Sequence, residues 1–301
     1  MFRGVPLNTV KEFIFSDPRK TQIILMGTLL MLGAFARDFS IRLEQVLLTF
    51  ASGILTQMFF LRVFKIKERG YLSAVITCLG ISLLYRNHSL WVHPAVTCTV
   101  MSAKFLLRVR GKHIFNPGML AVILGIKLFP GGWVSPAQWG DDLSVVLILT
   151  GFGFWVSRRA RIQDIAASFI FSYMFFLLYR TFYYGYSFSV FLHQISNGSL
   201  ILFTFFMITD PRTAPDSGKA RILHGFLVAL LAYNLQFALY MKTSLIWSLF
   251  FLSFLVPLWD RIFKGSQYIW NNGFKGDNNE KIFQKDCSAD SHPVGVTVRS
   301  V

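Results

Sequence analysis

Cysteine is nearly absent from this 301-residue chain, and the three present share no short spacing. Cys78 and Cys98 sit inside apolar runs and Cys287 in a polar stretch. Without a CxxC pair or a His–Cys cluster, a disulfide framework, a zinc site and iron–sulfur ligation are not expected. Acidic residues are half as numerous as basic ones, 15 against 30. The sequence also lacks an HExxH helix, a phosphate-binding glycine loop, a dinucleotide fingerprint and a Ser-His-Asp grouping. Any chemistry must therefore come from a bound cofactor or a partner.

What the chain has in abundance is apolar length. It is 53% hydrophobic and 15% charged, with 32 Phe and a mean hydropathy of +0.50. A soluble chain of this size cannot hide so much apolar surface, so an integral membrane protein follows. Ten apolar segments can be drawn: 20–36, 43–62, 71–85, 89–106, 117–130, 143–157, 164–180, 187–208, 221–241 and 244–262. The expected fold is all-α and polytopic, with about ten transmembrane helices. Three segments (71–85, 117–130 and 143–157) fall short of the roughly 20 residues that span a bilayer. Short spans in both halves suit a 5+5 inverted repeat with broken helices, although no sequence match between the halves supports it. Residues 1–19 are expected to form an interfacial arm, 20–263 the membrane domain and 264–301 a polar, mobile tail. Ala34-Phe35-Ala36 imitates a signal-peptidase site, but the polar leader and the later spans favour an uncleaved first helix.

Lys and Arg alternate between successive connections. The odd-numbered connections, termini included, hold 24 and the even-numbered ones 6. That asymmetry places both termini in the cytoplasm and requires an even number of spans. Trp91, Trp133, Trp139 and Trp247 then lie toward the outer interface, where amphipathic rings settle. Short basic clusters between apolar runs are topology signals, so lipid is the expected partner and nucleic acid is not.

Two polar breaks stand out. Lys104 to Gly118, KFLLRVRGKHIFNPG, ends one span and opens the next with Asn116-Pro117-Gly118. Thr209-Asp210-Pro211-Arg212-Thr213 follows the run Leu200 to Ile208. Pro lacks an N–H and Gly tolerates left-handed backbone, so both breaks free polar groups that can face a ligand. His113, Asn116, Pro117, Gly118, Thr209, Asp210 and Arg212 are candidate cofactor-binding residues. Asn197, in Asn197-Gly198-Ser199, joins them because it interrupts another run; the same triplet also suits close helix packing. Asp210 either pairs with Arg212 and caps the next segment or binds an incoming ligand. Arg108, Arg110, Lys112 and His113 form either an orientation signal at the headgroups or a surface for an anionic cofactor or acidic partner. Lys104 is expected to snorkel. His93 and His193 lie near span ends, where anchoring and function are both open.

Phe115-Asn116-Pro117-Gly118 and Met207-Ile208-Thr209-Asp210-Pro211, set in ten spans, resemble the NqrB/RnfD family of membrane subunits in ion-pumping oxidoreductases. RVRGKHIFNPG, GGWVSPAQWG and FFMITDPRTAPD are similar to its UnbU-type branch, named after enediyne biosynthesis clusters. The resemblance implies a bacterial inner-membrane subunit with other subunits as partners, linked to electron transport and ion translocation. It also implies a flavin. Members with covalent FMN attach it to a Thr in a Ser-Gly-Ala-Thr-type motif, and no such motif occurs here. A non-covalent FMN or riboflavin near Asn116 and Asp210 is thus the expected form. The family's likeness to the urea-transporter fold keeps a small-solute channel open, and a membrane accessory factor for a partner enzyme is the third reading.

Overall fold

The computed structural model describes residues 17–35, 41–66, 70–134, 143–269 and 273–274. Residues 1–16 of the expected N-terminal arm, the loop tip with Trp139 and the tail after 274 lie outside the described residues.

Every one of the ten apolar segments folds as a helix or a bent helix pair. The first half runs α1 (Pro18–Phe35), α2 (Leu43–Val63), α3 (Tyr71–Leu84), β1 (Tyr85–Asn87), α4 (Val92–Leu106), β2 (Arg108–Val109), β3 (Lys112–His113) and α5 (Pro117–Leu128). The second follows with β4 (Gly132–Val134), α6 (Leu143–Arg159), α7 (Gln163–Tyr183), α8 (Phe188–Ile195) and α9 (Gly198–Leu202), which continues into a π-helical turn, Phe203–Met207. Then come α10 (Gly218–Phe237), α11 (Ser244–Ser253), α12 (Val256–Ile262) and the short ribbon β5 (Tyr268–Ile269) with β6 (Gly273–Phe274). The protein is an all-α polytopic membrane protein.

By length and composition, α2, α7 and α10 can each cross a membrane. The pairs α8 with Gly198–Met207, bent by 45°, and α11 with α12, bent by 48°, raise the number to five. The 12 residues of α5 rise only about 18 Å at 1.5 Å each, well short of a hydrocarbon core of about 30 Å. Each bend has a local cause. Asn197 caps α9 by accepting from the Ser199 N–H at 2.8 Å, and Pro257 stands in the first turn of α12, where its missing N–H costs nothing.

Neighbour relations repeat between the halves. α1 packs on α3 and α2 on α4, as α6 packs on α9 with its π-turn and α7 on α10. α4 meets α5 as α10 meets α11, while α1·α6 and α5·α11 join the halves. The connections at the two ends of α4 are each held by contacts with distant segments. At one end, β1 pairs with β4, Arg86 opposite Trp133. At the other, the Arg212 guanidinium donates to the carbonyls of Gly111 and Tyr268. The first residues of the expected tail are thus part of the packed structure, with Tyr268 buried.

Gly153 lets α6 lie against the π-turn. A Cβ there would overlap the Cβ and ring of Phe205, and overpacking of this kind costs about 1–3 kcal/mol. Gly153→Ala is expected to lower the thermal midpoint of the detergent-solubilised protein, whereas Gly151→Ala, with open space around it, should leave the midpoint in place.

Candidate functional site

The Asn116-Pro117-Gly118 break is built by three local rules. Asn116 is extended (φ −62°, ψ 126°) and its Oδ1 accepts from the Met119 N–H at 3.1 Å, so it is the N-cap of α5. Pro117 fills the first helical position with a pre-set φ. Gly118 lets α5 approach α3, since a Cβ would come 2.8 Å from Leu84 Cδ1. With its oxygen used for capping, Asn116 turns its amide nitrogen toward the other break. Nδ2 donates to the Met207 carbonyl at 3.2 Å and to Asp210 Oδ2 at 3.4 Å. The two breaks, 94 residues apart in sequence, are therefore joined through one side chain.

Asp210 closes its own turn by accepting from the Arg212 backbone N–H at 3.0 Å. This is a turn of its own and not a helix cap, since the next helix, α10, has Ser217 at its N-cap, and the Arg212 guanidinium reaches Gly111 and Tyr268 instead. His113 Nε2 lies 3.6 Å from Asp210 Oδ2. Burial pushes the Asp210 carboxyl upward, but His113, the Arg212 N–H and the charge of Lys104 outweigh it, so its pKa is lowered. His113 is held below the ordinary imidazole range, mainly by burial, against the pull of Asp210. The pair at neutral pH is thus a carboxylate facing a neutral ring. Both groups are more easily protonated in the unfolded chain, so both contribute stability that is lost toward acid. The His113 part fades as pH falls from 6.5 through its lowered value; the Asp210 part fades only below 3.8. The thermal midpoint is expected to drop between pH 7 and 5, and His113→Gln to flatten that drop.

The Asp210 carboxylate and Lys104 face a common cavity of about 70 Å³. His113, Asn116, Pro117, Gly118, Asp210 and Arg212 all line it, with Ser73, Thr77, Met26, Phe206 and Met207. Two sequence candidates do not. Thr209 turns its hydroxyl onto the Phe205 carbonyl at 2.5 Å, the ordinary fate of a helical Thr. Asn197 lines a different cavity of about 680 Å³ at the other end of α10, with Tyr173, Arg180, His193, Gln236 and Lys242.

Lys104 does not snorkel. Its side chain is buried and its ammonium donates to Ser73 Oγ at 2.8 Å, with the Ser73 carbonyl at 3.3 Å and Thr77 Oγ1 at 3.4 Å. Its place near the end of an apolar run gave no sign of this; the matching Ser73 and Thr77, one turn apart on α3, were the available signal. The basic cluster is also largely used within the chain. Arg110 (φ 52°) and Gly111 (φ 80°) make the two-residue turn of the β2–β3 hairpin, both left-handed as a type I′ turn requires. The turn aims Lys112 inward, where Nζ meets Asp216 Oδ1 and Asp260 Oδ2, each at 2.9 Å, and the Ala214 carbonyl at 2.7 Å. The acidic partner of Lys112 is therefore intramolecular. No group of three or more metal-ligating side chains forms among the described residues.

The model of the NQR2, RnfD, RnfE family matches residues 126–268, a little under half of the chain. No curated protein matches. The matched stretch includes GGWVSPAQWG and the Asp210 break in full, while the Asn116 break precedes it. It carries the NqrB/RnfD resemblance and gives no separate support to the UnbU-type branch. Over residues 126–268, this chain is similar to the NQR2, RnfD, RnfE family.

Proposed function

We propose that this chain is an RnfD/NqrB-like membrane subunit of an electron-transport complex. In this reading the Asn116–Asp210 cavity holds the polar edge of a non-covalent flavin or a quinone, and electron transfer there is linked to ion translocation. One observation carries it: two breaks from separate halves converge on a single, largely apolar cavity with a polar end. Lys104, within α4, is buried there, and ionisable groups inside a membrane bundle are costly and mark functional sites. The family match over residues 126–268 supports the electron-transport setting.

The lining suits such a ligand chemically. A carboxylate, an imidazole and an ammonium offer the mixed donors and acceptors that the imide edge of an isoalloxazine or a quinone carbonyl needs. Met26, Leu29 and Phe206 supply apolar wall. At about 70 Å³ the cavity receives an edge, not three fused rings, so an entire flavin requires side chains such as Phe206 to move aside. A bound flavin would supply the redox chemistry; the protein's part is to bind its edge and exclude water. Partner subunits complete the reading, because the chain offers no nicotinamide or iron–sulfur site of its own.

A second reading, a small-solute path, has its own support. Met207 lines both the Asn116 cavity and the larger one at the opposite end, so the π-turn is the wall between them. Purification in mild detergent separates the two. Flavin absorbance released to the supernatant by acid, or a quinone extracted with a copurifying subunit, supports the electron-transport reading. A colourless, partnerless protein would contradict it, and solute flux into liposomes that falls in Asn116→Ala and Asp210→Ala would favour the path.

A further inference from the structure

Buried polar groups nearly always find partners, and those that do not point to something bound. Among the described residues, several unpartnered buried atoms belong to neighbouring residues at the bundle end opposite Asn116. They are Ser82 Oγ on α3, Arg86 Nε and Nη2 on β1, and His93 Nε2 on α4. Arg86 is 2% exposed and His93 1%. The third guanidinium nitrogen, Nη1, donates to the Tyr85 carbonyl at 3.0 Å and also to the Ser82 carbonyl. The guanidinium thus lies against Ser82. His93 packs its ring on Tyr85, with centroids 5.5 Å apart, and the Arg86 charge falls on that ring.

Three of the four free atoms are donors. Nε and Nη2 of Arg86 carry fixed protons, and the Ser82 hydroxyl rotates. The Thr49 hydroxyl donates to the Gln45 carbonyl at 2.8 Å, so Thr49 Oγ1, 3.4 Å from His93 Nδ1, accepts the ring proton there and Nε2 is left as an acceptor. The oxygen acceptors nearby are already taken. Tyr85 Oη donates to the Gly125 carbonyl and accepts from Asn87, and Gln45 donates to the Asn87 carbonyl. His88 stacks on Trp133, and Arg42, which adds positive charge, donates to the His88 carbonyl. The carboxylate of Glu44 faces Arg42 at 3.9 Å and is exposed. No described carboxylate pairs with Arg86. A guanidinium stays charged when buried, and an uncompensated buried charge is strongly unfavourable.

We propose that Ser82 and Arg86 bind a small inorganic anion of halide size, chloride being the abundant one. The anion supplies the counter-charge that the protein withholds from Arg86. It ties α3 to the β1–β4 ribbon at the end of the bundle away from the Asn116–Asp210 cavity. A buried water would satisfy single donors but bring no charge.

The test uses the full-length protein purified in detergent with gluconate as the only anion. Radiolabelled chloride is expected to bind saturably, competed by bromide and not by gluconate. Saturating chloride at constant ionic strength is expected to raise the thermal midpoint by about 2–4 °C. Arg86→Gln should abolish both effects. Ser82→Ala, which removes one donor and no charge, should weaken chloride binding several-fold, and it serves where Arg86→Gln does not fold. Absence of saturable chloride binding by the wild type overturns the proposal. So does wild-type affinity in either variant, which would put the anion elsewhere.

Discussion

Lys112→Met is expected to be the most destabilising single substitution in the chain's polar network. It would leave Asp216 and Asp260 facing each other without the ammonium that now lies 2.9 Å from both. The three side chains are only 7%, 12% and 5% exposed. Removing one partner of a buried ion pair costs about 3–5 kcal/mol, because the remaining charge stays desolvated. Burial and the neighbouring Asp260 already push the Asp216 carboxyl up despite Lys112. Without the lysine, the Asp216 carboxyl should take up a proton more readily still, so the variant's deficit should shrink as pH is lowered. Thermal unfolding at pH 8 and pH 5 checks this. A loss equal at both values would mean that Lys112 acts through packing alone. The cluster pins the β2–β3 hairpin to the connection after Asp210 and to α12, so its loss should also open the Asn116–Asp210 cavity from that side.

Asn116→Leu should have the second largest effect, about 2–4 kcal/mol. It removes the N-cap of α5, worth about 0.5–2 kcal/mol. It also strips the buried Met207 carbonyl of its donor, at about 1–3 kcal/mol. Asn116→Asp separates the two roles. Its carboxylate still caps Met119 and favours the helix N-terminus, but it cannot donate to Met207 and sets a like charge beside Asp210. A stable Asn116→Asp protein without ligand would show that the amide donor serves the site rather than the fold.

Much of the architecture could be read from the sequence because lipid imposes a simple code. Apolar runs became helices, each within a few residues of its expected ends. Asn116-Pro117-Gly118 was legible as a cap followed by a helix start, since each residue has one physical role there. What escaped was set by contacts between distant residues. Lys104 read as a snorkelling residue because its acceptors, Ser73 and Thr77, lie on another helix. Lys112 read as surface charge because its carboxylates stand about a hundred residues or more along the chain. Thr209 and Asn197 looked equivalent to Asp210 as polar interruptions, yet one bonds to its own helix and the other faces the opposite cavity. The π-turn at Phe203–Met207 has no sequence signature; its freed Met207 carbonyl is recognised only by the side chain that satisfies it.

The measurement that bears most directly on the central claim is ligand content in three proteins purified side by side in mild detergent: wild type, Asn116→Asp and Asp210→Asn. Acid-released flavin and solvent-extracted quinone would be quantified per mole of folded protein. The account predicts a near-stoichiometric amount of one of them in the wild type and a large loss in both variants with the fold retained. Equal content in all three, or none in the wild type under conditions that retain its partners, would contradict it.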